Sequence, residues 1–285
     1  MIQKKIIARI SFIGKNFCGW QKQSSQDESS HKSSIQGEIE RSLAKIFPKI
    51  KERITVLGCG RTDAGVHARE YYLELTNSEQ ILNSYPSISS FQLQSSLNAF
   101  LHEDIRCLNV FFKDEDFHVL RSIQTKTYLY RIAYSKNPPL FNRETLLWVK
   151  QKKEAPLEWQ EKSKLLKSLI GKKDFACFAS TGYSVQTTIR EVCSTGVTVK
   201  NLDYSPEEKS DQLIEIVVQG KGFLKQMVRN ITGAYLEIVQ GRKESDYLTK
   251  LLELSNGPGT QISNRFCAPA HGLQLHAVDY GEKLS

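Results

Sequence analysis

No two cysteines in this chain of 285 residues stand in C-x-x-C spacing. The six cysteines, at positions 18, 59, 107, 177, 193 and 267, are scattered without a framework, so no disulfide scaffold is implied and reduced thiols in a cytoplasmic setting are expected. Cys267 and His271 have a metal-like gap but no second pair nearby, which argues against a zinc site. A long apolar run is also missing. The stretch from Ile6 to Phe12 is interrupted by Arg9 and Ser11 and alternates like a strand, too short and too polar to span a bilayer or to serve as a cleaved leader. Two nucleotide-binding fingerprints fail as well. A G-x-G-x-x-G match would need glycine where Asp63 stands, and Gly220-Lys221-Gly222 lacks both the P-loop spacing and the hydroxyl residue after lysine.

What is present is ordinary globular composition, 40% hydrophobic and 25% charged, on a chain long enough for two domains. The net charge of +8 favours a polyanionic partner, since a basic surface releases counterions from phosphates whatever sequence it meets. Charge alone does not separate nucleic acid from an acidic membrane.

Periodicity predicts strands over 4–13, 54–57, 67–76 and 105–112, with helices opened by Ser34 and around 91–101, a βαββαβ-like half. Solvated loops are expected over 24–34 and 201–211, and a connecting segment over 136–155. Further on, a strand carries Tyr128, Tyr130 and Ile132 on one face. A helix over 157–170 is expected to end at Gly171, followed by strands over 187–200 and 212–219. A helix with the stripe Leu224, Met227, Val228, Ile231, Tyr235 and Ile238 leaves Arg229 nearly opposite its core face. A short helix over 246–254 and a strand near the end follow.

The stretch around which the chain is organised is Gly58-Cys59-Gly60-Arg61-Thr62-Asp63-Ala64-Gly65-Val66-His67-Ala68. It follows the apolar Ile54-Thr55-Val56-Leu57, so a strand runs into a glycine-rich loop able to hold Arg61 and Asp63 close together on a stiff support. On composition alone the same residues describe a plain surface turn whose carboxylate bonds to nearby backbone.

This run resembles the G-R-T-D-x-G-V-H-A signature of the TruA-type tRNA pseudouridine synthases at every fixed position. Further resemblances extend it: Phe12-x-Gly14-x-x-Phe17-x-Gly19-Trp20-Gln21-x-Gln23, the basic-x-Y-x-Y strand with Tyr128 and Tyr130, and Asp174-Phe175-x-x-Phe178. The helix Phe223-Leu224-x-x-Met227-Val228-Arg229-Asn230-Ile231-x-Gly233 and the closing Ala268-Pro269-Ala270-x-Gly272-Leu273-x-Leu275 complete the set. Together they run from residue 12 to 280. The chain departs from the pattern at Tyr71, where the family has glutamine, and at Leu120, where it has arginine and this chain has Arg121 one place later.

The resemblance implies an α+β fold of two similar α/β halves sharing a mixed, mostly antiparallel sheet, with helices on one side and a central basic cleft. The halves would be 1–113, with the catalytic loop, and 114–285, with the Tyr128 strand and the Arg229 helix. It implies an isomerase that converts uridine to pseudouridine at tRNA positions 38–40 in the anticodon arm, with no cofactor and no metal. Asp63 would be the catalytic carboxylate, Arg61 would enter the stack to help turn the uridine out, Tyr128 would stack on the flipped base, and Arg229 would pair with the carboxylate. The implied partners are tRNA and a second copy of the chain, in the cytoplasm and away from membranes. Two other classes stay open: a non-catalytic RNA-binding protein, and a thiol enzyme with Cys59 as nucleophile and His67 as base.

Overall fold

The computed structural model describes residues 4–22, 32–151, 157–180, 185–202, 211–260 and 267–284. The chain divides into two compact units, residues 1–124 with 275–285 and residues 125–274. Most of the loops expected over 24–34 and 201–211 lie outside the described residues.

In the first unit, β1 (Lys4–Phe12) is central, with Ile6, Ile7, Ala8, Ile10 and Phe12 all buried. α1 (Ile35–Ile46) begins at Ser34, whose hydroxyl accepts from the Gly37 N–H at 3.1 Å, and buries Ile35, Ile39 and Leu43. β2 (Val56–Gly58) leads into the glycine-rich loop and β3 (His67–Leu75) leads out of it. α2 (Ser78–Ser84) is not expected from periodicity; α3 (Ser90–Phe100) opens with a reciprocal capping box between Ser89 and Gln92. β4 (Ile105–Asp114) completes this stretch. β1 pairs antiparallel with both β3 and β4, and β2 pairs antiparallel with the last residues of β3.

The second unit starts with β5 (Thr125–Ser135), against which β6 (Leu147–Lys150) lies parallel, inside a segment that reads as connection only in the sequence. The helix expected over 157–170 is one turn of α4 (Trp159–Lys162) running into a 3-10 segment, Ser163–Leu169. Ser163 and Ser168 each donate their hydroxyl to the carbonyl three residues back, at 2.6 and 2.7 Å, a local pairing that favours the tighter turn. β7 (Gly171–Asp174), β8 (Ile189–Asn201) and β9 (Gln212–Gly220) give the order β5-β9-β8-β7, antiparallel throughout. α5 (Met227–Val239) is buried almost all round, and α6 (Tyr247–Glu253) packs beside it. β10 (Leu273–Asp279) returns to the first unit next to β3. The α+β class and mixed, mainly antiparallel pairing are those expected.

Candidate active-site residues in each unit

In the first unit two stretches far apart in sequence interlock. The segment after β1 lies along the 58–68 loop, with the Trp20 N–H donating to the Thr62 carbonyl at 3.2 Å. Gly14 donates its N–H to His67 Nδ1 at 3.0 Å. Gly19 has φ +109°, and a Cβ there would lie 2.7 Å from the Thr62 oxygen and 3.3 Å from the Asp63 carbonyl carbon. Any side chain at that position would push the loop away, so the glycine permits the contact. The Val66 N–H bonds back to the Asp63 carbonyl at 3.2 Å, which closes a turn around the carboxylate residue. Thr62 is buried whereas Arg61 is exposed and Asp63 half-buried, so both charged side chains point out of the core beside a fixed backbone.

The loop is also tied to β3. The Cys59 N–H donates to the Tyr72 carbonyl at 2.8 Å, and the Tyr72 N–H returns to Cys59 Sγ at 3.5 Å. Tyr71 is fully buried; its hydroxyl donates to the Gly60 carbonyl, and its ring packs on Trp20 at 4.3 Å and Phe12 at 5.5 Å between centroids. Where the family pattern has glutamine, this chain thus supports the loop with a phenol. Leu120 and Arg121 are both exposed.

The same contacts weigh against a thiol enzyme. Cys59 has no exposed surface, and His67 Nδ1 already accepts from the Gly14 N–H, which places the proton of the neutral ring on Nε2.

In the second unit, Tyr128 is half-buried on β5 opposite Val218 of β9, and its ring stands perpendicular to that of Phe223, at 5.1 Å and 86°. Tyr130, two residues on, is a core residue. It is fully buried and donates its hydroxyl to the Pro269 carbonyl at 2.8 Å. Burial pushes its pKa far up, against the pull of the nearby Arg229 charge.

α5 starts from Gln226 in the left-handed region, φ +60°, and carries Arg229 in its first turn. Periodicity alone would leave Arg229 in solvent. Instead it is half-buried, its Nε donates to the Ala268 carbonyl at 2.8 Å, and the Ala268 N–H returns to the Arg229 carbonyl at 3.2 Å. The helix and the A-P-A segment therefore hold each other. Burial, helped by the Arg229 charge, lowers the pKa of neighbouring His271 against the effect of a hydrogen bond to the Leu146 backbone.

The Asp174-Phe175 segment braces the helix. Asp174 accepts from the N–H groups of Ala176 at 2.9 Å and Gly257 at 2.7 Å, and Asn230 of α5 donates to the Phe178 carbonyl at 2.7 Å. Burial alone would raise the Asp174 pKa, but these bonds and one from Thr188 bring it below its ordinary value. In the sequence Tyr71 stands out only as a departure from the family pattern and Phe223 only as a member of the helix motif; their contacts with Gly60 and Tyr128 come from the fold. The glycines of the first motif are the available signal for the interlock with the loop.

Among the described residues no helix is long and apolar enough to cross a membrane, and no group of three or more His, Cys, Asp or Glu is arranged to hold a metal ion.

Similarity to known proteins runs along nearly the whole chain. Residues 165–281 match the family described as "tRNA pseudouridine synthase". Over 280 residues, 97% of this chain and 92% of the relative, it is 35% identical to "tRNA pseudouridine synthase A" of Chlamydia muridarum. It is 30% identical to "tRNA pseudouridine synthase A 2" of Clostridium perfringens over 97% of this chain and 100% of that one. The protein of Pseudothermotoga lettingae, also "tRNA pseudouridine synthase A", is 29% identical with the same two coverages, 97% and 100%.

Proposed function

Because the chain belongs to the tRNA pseudouridine synthase family, we propose that it isomerises uridine to pseudouridine in the anticodon arm of tRNA, at positions 38–40, with Asp63 as the catalytic carboxylate. The reaction breaks the bond from uracil N1 to ribose C1′ and forms one from C5 to C1′; the proton lost from C5 is balanced by the one gained at N1. No atom enters or leaves overall, and no electron is transferred.

Each side chain has a part that its chemistry fits. The uridine leaves the stack at a cost of about a few kcal/mol, which Arg61, inserted beside it, and Tyr128, stacked on the extruded base, offset. Asp63 supplies the reacting carboxylate, and Arg229 takes the part of its guanidinium partner, able to offer it paired, charge-assisted hydrogen bonds. Surface lysines and arginines take the phosphates and read the shape of the tRNA more than its bases. The enzyme works as a homodimer in the cytoplasm and engages tRNA with both copies.

The observation that carries this is the run from Gly58 to Ala68 in a chain similar to named synthases over nearly its whole length. Pseudouridine mapping in tRNA from cells with and without the gene tests it. Modification at positions 38–40 should vanish in the deletion and return with the wild-type gene but not with Asp63→Asn. A pattern centred outside the anticodon arm would overturn the substrate, and full activity of Asp63→Asn would favour the non-catalytic RNA-binding alternative.

A further inference from the structure

The arch between β9 and α5 is pinned at both ends. The Lys221 N–H donates to the Glu191 carbonyl at 3.2 Å, Leu224 is buried, its carbonyl accepts from Met227 at 3.1 Å, and the Ser180 N–H bonds to the Lys225 carbonyl at 3.0 Å. Phe223 sits in the middle of this arch. Its ring folds back over the end of β9, where a Cβ on Gly220 would lie 3.2 Å from Phe223 Cζ and 2.6 Å from the Glu191 oxygen. Gly220 pairs with Lys126 and Val218 with Tyr128, so the returning ring meets the Tyr128 ring at 5.1 Å and 86°.

We infer that Phe223 is a positioning residue that holds the Tyr128 ring in the orientation needed to stack on the extruded uracil. A perpendicular aromatic neighbour at this distance is a favourable arrangement of ring quadrupoles and limits how far the tyrosine ring can turn. Phe223 is only half-buried, so its ring is not simply filling a core. The same short segment then continues into α5 and Arg229, which ties the orientation of the base platform to the placement of the guanidinium within this unit. Gly220 is part of the arch, because a Cβ there would lie 2.6 Å from the Glu191 carbonyl oxygen and force the β8 backbone away, while the Phe223 ring, 3.2 Å off at Cζ, would have to give only slightly.

Phe223's role rests on that proposed for Tyr128, and the two are separated as follows. Purified full-length wild type, Phe223→Leu, Phe223→Tyr and Tyr128→Ala are compared for kcat on an anticodon-arm tRNA substrate, for tRNA Kd and for melting temperature. Leucine keeps the apolar bulk but not the ring. The expectation is that Phe223→Leu loses about three- to tenfold in kcat, the scale of one aromatic pair. Its tRNA Kd should stay at the wild-type value, since phosphate contacts dominate binding; its melting temperature should fall by no more than about a few degrees, leaving the enzyme fully folded at the assay temperature; and Phe223→Tyr should restore kcat. Wild-type kcat in Phe223→Leu, a loss that disappears once rates are normalised to the folded fraction, a loss explained by a rise in Kd, or no rescue by tyrosine overturns the inference. Wild-type activity in Tyr128→Ala overturns the role of Tyr128 itself.

Discussion

The loop with Asp63 in one unit and the strand and helix with Tyr128 and Arg229 in the other are held by different means. Around Asp63 the support is mostly backbone: Thr62 and Asp63 carbonyls accept from Trp20 and Val66, and Gly19 lets two segments touch. Around Tyr128 and Arg229 the support is regular structure joined by side chains, with Phe223 against the tyrosine and the guanidinium on the Ala268 carbonyl. A loop has no ladder of its own, so its geometry must be imposed by neighbours. A strand and a helix arrive with theirs set, and only the side-chain direction remains to be chosen. Substitutions in the first region should therefore act through backbone placement, and in the second through the identity of one side chain.

Three changes sharpen or break that contrast. Arg229→Lys keeps a charge but loses the planar donor set, both toward Ala268 and toward a carboxylate. On the proposed role, the loss of a charge-assisted bond of about 1.5–3 kcal/mol lowers kcat roughly tenfold to a hundredfold with little change in tRNA affinity. An unchanged kcat would leave Arg229 a structural residue.

Asp174→Asn probes the turn after β7, which leads to the Phe178 carbonyl that Asn230 of α5 bonds. The Asp174 pKa lies below its ordinary value of 3.8 in the folded chain, so ionisation adds stability that is present above that value and lost as pH falls through the folded pKa. The variant should be less stable by about 1–2 kcal/mol at neutral pH, with the gap closing below about pH 4, measured as denaturant midpoints across pH. A gap that persists in acid would mean that the charge does not matter.

Tyr71→Phe removes one hydroxyl from the support of the other loop. The Gly60 carbonyl loses its donor, a cost of about 1 kcal/mol, and on the proposed role of Asp63 kcat falls roughly fivefold while tRNA Kd holds. Tyr71→Gln, with a side-chain amide able to donate to the same carbonyl, should recover part of that loss. A Tyr71→Phe enzyme with wild-type kcat would show that the backbone contacts alone fix the loop.

The elements that carry strong periodicity are legible in the amino-acid order: β1 with its alternating apolar residues, α1 behind Ser34, and α5 with its stripe. Short edge elements are not. β6 and β7 have four residues each, and the latter reads Gly-Lys-Lys-Asp, with no apolar pattern to mark it. Their existence depends on a neighbouring strand offering its backbone, which is a property of pairing partners and not of local sequence. The helix expected over 157–170 fails for a related reason: its apolar spacing suits an α-helix, but the serine hydroxyls compete for carbonyls within the turn.

By itself the sequence determined the α+β class and the family and marked out the candidate site residues, because motifs and periodicity are local and survive as text. Only the tertiary structure decided that Tyr71 carries the Gly60 carbonyl, that Arg229 leans on Ala268 and that Phe223 meets Tyr128. Those pairs are separated by 11, 39 and 95 positions in the chain, and what joins them is close packing and the pairing of buried polar groups, neither of which is visible until the chain has folded.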